Sequence, residues 1–432
     1  MPETPSRWTL LAGSALVALL DTNGGAAADP PAATPLPQPP PAATPAPAGD
    51  TRAWLTAELE REPGNGIVLY TLARFAARAG DPDEALRRLG QLAASGWDGG
   101  LERADFAALA GRAELAELAA RLESQEKRVA RARLERELTI EGLGPEGTAW
   151  DARRGELLLS SGLRRTVVAV DAAGRVRDVA RAGLDGVFAV LGLEVEAARD
   201  RVWAATSAAP FMAGYRAADD GRASLVAFDL ATGELAVRVE APRRPALLND
   251  LVVAADGTVF VTDSLNDSLW RLAPGGGALQ PVATGAPWVG PNGVALGADG
   301  RTLYVADFRG VARFDPATGA VERLAPPAGV GSLGGIDGLE RSGGSLVGIQ
   351  NVAGRGRIWR LDLDAAGRSI VAATLLESGN PLFFNPTTGA LAGGDLLFVA
   401  NPAVQLPMGD ATSAPGGAPL RLLRLPVGAP AP

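Results

Sequence analysis

Four residues carry oxygen donors at one recurring place in the chain: Glu146, Asn249, Asn292 and Asp337. They stand in "PEGTAW", "NDLVV", "PNGVAL" and "IDGL". After each comes a short apolar strand, a turn and a second strand. Two carboxylates and two neutral amides make a hard-oxygen set of charge about −2, which suits one divalent cation. Ca2+ comes first, with Mn2+, Mg2+ and Zn2+ as substitutes. Taken singly, each residue has an ordinary reading. A lone Asn before Gly is usually a turn residue, Asp337-Gly338 is a good turn pair, and Glu146 after Pro reads as an exposed loop acid. Recurrence at one register is what sets the four apart.

Composition narrows the chemistry. The 432-residue chain has no Cys and no His. Disulfides, thiol nucleophiles, Cys- or His-ligated metals and the Ser-His-Asp and Cys-His engines are therefore excluded. Catalysis must come from carboxylates, Lys, Tyr, Ser/Thr or a metal held by oxygens. A formal charge of −8 argues against nucleic acid and against an anionic membrane surface. No phosphate loop, dinucleotide fingerprint or Ser-based elbow is present.

The elements that must position the donors repeat. Six stretches share the strand-turn-strand pattern, from "PEGTAWDARRGELLLSS" to "TTGALAGGDLLFVAN". Aligned by their turns, they place Glu146, Leu191, Asn249, Asn292, Asp337 and about Thr388 at one position, with spacings of 45, 58, 43, 45 and 51 residues. Outer hairpins such as "VAFDLATGEL" and "ARFDPATGAV" fill the intervals. Blade repeats run about 40–50 residues, so six units over residues 132–428 predict an all-β six-bladed β-propeller. Its inner strands start near the axis, which brings the four donors together. "LERELTIEG" is expected to pair into the last blade and close the ring. The second unit is longer by "SAAPFMAGYRAADDGRAS", Ser207 to Ser224, a loop that could bring Tyr215 and Arg216 to the site. Trp288, just before Asn292, is expected either at the mouth or in packing. Asp250 beside Asn249 reads as a supporting residue or as a strand-end acid.

With these residues in view, residues 135–428 resemble the senescence marker protein/gluconolactonase (regucalcin-like) family and, more distantly, the paraoxonases. "NDLVVAADGTVFVTD", "PNGVALGADGRTLYVAD" and "IDGL" are the most specific pieces. The resemblance implies a six-bladed propeller, one axial divalent cation and hydrolysis of lactones or related esters. It implies Glu146, Asn292 and Asp337 as direct ligands, Asn249 as a ligand or as holder of water or substrate, and Asp337 as the catalytic base. Two positions depart from it. Gluconolactonase-like members carry a sugar-binding Arg where this chain has Leu247, and paraoxonases carry a His where it has Leu191. Leu191 and Leu247 suggest an apolar rim and a more hydrophobic ligand.

The N-terminal part is built differently. Arg7 precedes the 13-residue apolar run Trp8–Leu20, which is short for a span and fits an export signal. Residues 1–28 are read as signal peptide with cleavage after Ala28, an uncleaved anchor being the rival, and the destination as periplasmic or secreted. Residues 29–49 form a Pro/Ala-rich linker. Residues 50–131 are expected to be a small α-helical domain resembling a tetratricopeptide-type pair. Asp81 reads as an N-cap, followed by Pro82 and Glu84. A plain helical spacer is the competing reading.

Two functions fit. One is an exported divalent-metal-dependent hydrolase of a small-molecule lactone or ester. The other is a non-catalytic metal-binding propeller that binds a protein or ligand, with the helices offering a protein-partner surface.

Overall fold

The computed structural model describes residues 51–284, 288–402 and 419–428. The proposed signal peptide and Pro/Ala linker lie outside the described residues. Among the described residues no helix is long and apolar enough to cross a membrane.

Six four-stranded antiparallel sheets follow the helices. Their inner strands are Thr148–Asp151, Ala189–Glu196, Leu248–Val253, Val294–Leu296, Ile336–Ser342 and Gly389–Ala392, here called blades 1 to 6. This is the six-bladed propeller expected from the repeat. The last sheet takes its outermost strand, Arg133–Leu138, from the start of the domain, paired with Leu420–Pro426. That pairing closes the ring as the sequence predicts, although the strand stops at Leu138. The core lies between blades, where apolar faces of neighbouring sheets meet. Leu158, Val190, Val202 and Val226 fill one such interface and Leu269, Leu303 and Phe314 another.

The inner hairpins turn on residues able to take positive φ: Gly155, Asp200, Gly257, Gly300, Gly343 and Gly393. Asn292-Gly293 and Asp337-Gly338 are not turns: Asp337-Gly338 lies inside the strand Ile336–Ser342, and Asn292-Gly293 pairs with Ala306 of the neighbouring strand.

Among the described residues, four α-helices precede the propeller: α1 Thr51–Arg61, α2 Gly66–Arg78, α3 Pro82–Ala94 and α4 Ala113–Gln125. Asp81 caps α3 by accepting from the Glu84 N–H at 3.1 Å, with Pro82 in the first turn. Such a cap is worth about 1 kcal/mol. α2 is buried along nearly its whole length, from Gly66 to Ala77. The stretch before α4 forms a 3-10 turn, Arg103–Leu109, so the second helix pair is incomplete.

The helices pack on the propeller and share one core with it, which includes Phe308, Val352 and Ala353. Trp54 meets Phe308 edge-on at 5.3 Å. Arg357 is buried, pairs with Asp98 at 2.8 Å and lies over the Trp97 ring at 4.6 Å. Burial lowers Arg357 to about 10 despite Asp98. Phe308 and Val352–Ala353 sit in turns joining the second and third strands of blades 4 and 5. Each second strand returns to the end where the inner strand began. The helices therefore cover blades 4 and 5 on the face where the donor residues lie. The blade 2 loop, between Arg201–Ser207 and Ala223–Asp229, stands on that same face across the ring.

Candidate metal centre

The six aligned positions are neighbours around the axis, and the glycines after them make this approach feasible. A Cβ on Gly147 would fall 1.9 Å from the Leu191 carbonyl oxygen. One on Gly192 would fall 2.5 Å from that of Asn249, and one on Gly293 2.5 Å from that of Asp337. Gly338 would meet the Cα of Thr388 at 2.8 Å. Blade 3 has Asp250 instead of glycine, and its Oδ2 accepts from the Val294 N–H of blade 4 at 3.1 Å. The ring closes where the Thr387 and Thr388 hydroxyls donate to the Glu146 carbonyl oxygen, at 2.8 and 2.7 Å. Glycine is needed here for close backbone approach, not for a left-handed turn.

Bulges aim the side chains. The ladder shifts register between Val190 and Leu193, between Leu248 and Leu251, and between Ile336 and Leu339. In each case two residues oppose one, so Leu191, Asn249 and Asp337 stand at bulges, which re-aim side chains and interrupt pairing. An Asn or Asp there gives up no regular ladder position.

Polar residues at the ends of the second strands hold this ring from behind. Ser160 Oγ accepts from the N–H groups of Glu146 and Gly147, at 3.0 and 2.7 Å. Asn249 Nδ2 donates to Ser264 Oγ at 2.9 Å, and that hydroxyl donates to the Pro291 carbonyl at 2.6 Å. Asp337 accepts from Asn292 Nδ2 on Oδ1 and from Asn351 Nδ2 on Oδ2, both at 2.5 Å. Glu146, Asn249, Asp337 and Asn351 are all nearly buried, while Asn292 is half-buried. Burial pushes Asp337 up to about 7, against the pull of the two amide donors. No guanidinium is among the groups acting on it.

The donor set fits a hard divalent cation. It offers carboxylate and amide oxygens from four blades, and a buried acid at Asp337 that no cationic side chain compensates. An Asn amide contributes its oxygen to an ion after a half-turn about its last torsion. Among the described residues no three His, Cys, Asp or Glu side chains cluster to hold a metal, so the amides are essential to this reading.

Below the ring lies a cavity of about 180 Å3, lined by Thr148, Glu194, Asp250, Glu340, Arg341 and Thr388 among others. Burial raises Glu194 to about 8, helped by the Asp250 charge. Burial raises Asp250 to about 7, against the Leu251 and Val294 N–H groups and with the Asp337 charge. Glu340 is also raised by burial and by Glu194 and Asp250. Glu194 and Glu340 both lie three residues past the aligned position, a second recurrence legible in the same repeats.

The remaining expected residues lie elsewhere. Trp288 is 1% exposed and packs edge-on against Phe314 at 5.7 Å, so it belongs to the core between blades 3 and 4, not to the mouth. Tyr215 donates to Asp220 at 3.3 Å, and Arg216 binds Asp219 twice at 3.0 Å. Both are held within their own loop, and Arg216 lines a side pocket with Arg165 and Phe188. Leu191 and Leu247 are buried. The Leu247 N–H is fixed by Asp263 at 3.1 Å.

A family model described as SMP-30/Gluconolactonase/LRE-like region matches residues 144–321, from just before Glu146 through blade 4. The match covers less than half of the chain, so residues 144–321 are similar to that region. No curated protein matches the chain. Solved structures similar to this chain include a gluconolactonase from Xanthomonas campestris, at 20% identity, covering 69% of this chain and 90% of that one, with a TM-score of 0.47. The allergen Mala s 1 of Malassezia sympodialis is 16% identical over 69% of this chain and 96% of its own, with a TM-score of 0.52. A calcium-binding protein, regucalcin, from Agrobacterium tumefaciens is 18% identical over 69% of this chain and 95% of its own, with a TM-score of 0.45. At these identities the likeness is one of fold.

Proposed function

We propose that this protein is an exported, divalent-cation-dependent hydrolase of lactones or related esters, acting at the axial ring. The observation that carries the proposal is the convergence of Glu146, Asn249, Asn292 and Asp337 from four blades, with Asp337 buried and raised to about 7. The gluconolactonase-like region over residues 144–321 supports the substrate class.

Glu146, Asn292 and Asp337 would hold the ion, with Asn249 as a fourth donor or as the holder of water or substrate. When bound, such a cation supplies Lewis acidity toward a carbonyl oxygen and acidifies water. Asp337 would be the proton acceptor: its raised value belongs to the cation-free ring, and a cation beside it would keep the carboxylate ionised and ready to take a proton from water. Water oxygen bonds to the acyl carbon, the ring carbon–oxygen bond breaks, and the leaving alkoxide receives the proton. Leu191 and Leu247 leave the ring without the charged groups that would grip a sugar acid, which favours an apolar acyl or alkyl part.

Export rests on the Trp8–Leu20 run and would be read by sequencing the N-terminus of the mature protein. The helical segment, with its tetratricopeptide-like α2–α3 pair, would offer its outward α4 face to a protein partner.

Purified protein assayed on aliphatic lactones and aryl esters decides the activity. Turnover that a chelator abolishes and Ca2+ restores is the expected result. Tight Ca2+ binding with no turnover across a broad panel would favour the non-catalytic binding propeller.

A further inference from the structure

Asn351 enters no part of the proposed chemistry, yet its placement is unusual. It directly follows the second strand of blade 5, Ser345–Gln350, and the residue is 5% exposed. Its two amide hydrogens are both engaged, one by Asp337 Oδ2 at 2.5 Å and one by the Pro386 carbonyl at 3.0 Å. Its own oxygen is buried and has no hydrogen-bond partner among the described residues. A buried unpaired amide oxygen costs free energy that an apolar side chain would avoid. Tethering the blade 5–6 connection at Pro386 does not explain that cost, since a hydroxyl could do the same.

The backbone around Asn351 is fixed on both sides. Gln350 donates to the Ser332 and Gly334 carbonyls, at 3.0 and 2.7 Å, and accepts from Trp359 at 3.0 Å. Val352 and Ala353 are embedded in the helical core. A Cβ on Gly354 would lie 2.3 Å from the Gly99 carbonyl oxygen, so this turn is pressed onto the helical segment. A side chain mounted on such a rigid strand end can set the orientation of its neighbour.

The two oxygens of Asp337 are thereby made unequal. Oδ1 faces Asn292 and the ring, while Oδ2 is tied back toward blade 5. We propose that Asn351 is the positioning residue for Asp337, anchoring Oδ2 so that Oδ1 alone is presented to the axial ring. This rests on reading the ring as a cation site.

The test compares Asn351→Ala and Asn351→Leu with the parent in the full chain. Ca2+ affinity by titration calorimetry is expected to fall about tenfold or more, in the range seen when groups supporting metal ligands are lost. The urea midpoint should hardly move with Leu, which fills the space without the unpaired oxygen. Turnover should drop mainly in kcat. In a crystal structure of the Ala variant, Asp337 Oδ2 is expected to swing away from its parent position. Parent-like Ca2+ affinity in both variants overturns the proposal, as does an unmoved Asp337 carboxylate. If the parent itself binds no Ca2+, the ring reading fails, and the position of Asp337 in the Ala variant still decides the role of Asn351.

Discussion

Two layers of acid lie on the propeller axis, and they are treated differently. In the upper ring, Asp337 is held on both oxygens, Asn249 is braced by Ser264, and the Glu146 backbone is held by Ser160 and Thr388. In the layer below, Glu194, Asp250 and Glu340 line a cavity, and Glu340 is raised by both of the others. The lesson concerns supports more than charge. Acids gathered around an axis repel one another wherever they are. The upper layer carries donors on both Asp337 oxygens, a hydroxyl behind Asn249 and neutral amides between its acids, and such fixed oxygens are what an ion requires.

The contrast can be broken at its strongest point first. Asp337→Asn should reduce lactone or ester turnover by at least about 100-fold, since a lost general base typically removes 10²–10⁴. Full activity in this variant would remove Asp337 from the chemistry. Next comes the approach that makes the ring. Gly147→Ala puts a methyl against the Leu191 backbone, which no rotamer change relieves, and should cost about 3 kcal/mol. Denaturant melts will show it, and a loss under 1 kcal/mol would mean the blades are not packed this closely. Glu146→Gln and Asn292→Ala should each lower Ca2+ affinity by about 10- to 100-fold in calorimetry. Unchanged affinity in both would place the cation elsewhere.

The smallest effect separates the layers by pH. Asp337, Asp250, Glu194 and Glu340 all have raised folded-state values. The folded chain therefore holds their protons more tightly than the unfolded chain does. Their contribution to stability is complete below the ordinary carboxylate range near 4 and is lost as pH rises toward about 8. Melting temperature of the chelator-treated protein should fall over that window. Added Ca2+ should offset the fall, because deprotonated ligands bind it better. Glu194→Gln should flatten the decline and leave Ca2+ affinity within about threefold, as expected for a residue outside the braced ring. A tenfold loss of affinity in that variant would mean that the lower layer takes part in holding the ion.

Much of this was legible before folding because a propeller repeats its geometry. Turn spacing alone put Glu146, Leu191, Asn249, Asn292, Asp337 and Thr388 at equivalent places, and the structure makes them neighbours. The supports were visible in the same repeats, in the polar ends of "LLLSS", "VTDS" and "GIQN", though their partners were not. Trp288 could not be placed, because one residue decides between mouth and core and local sequence does not say which way a ring packs. The blade 2 loop shows a similar gap. Tyr215 and Arg216 found acids within their own segment, a local pairing that spacing to the axis did not reveal.

The sequence by itself determined the number of blades, the donor types and the absence of thiol and imidazole chemistry, since these follow from repeat length and composition. Tertiary structure decided the rest. It turned Asn292-Gly293 and Asp337-Gly338 from candidate turns into close backbone contacts, stood Asp337 on a bulge, and brought Asn351 to it across 14 residues of chain. It also set the helices over blades 4 and 5, on the same face as the ring. The physical reason is range. Periodicity and residue chemistry are local properties of a chain, whereas bracing, burial and the raising of a carboxyl toward neutrality come from groups that only folding brings within a few ångströms.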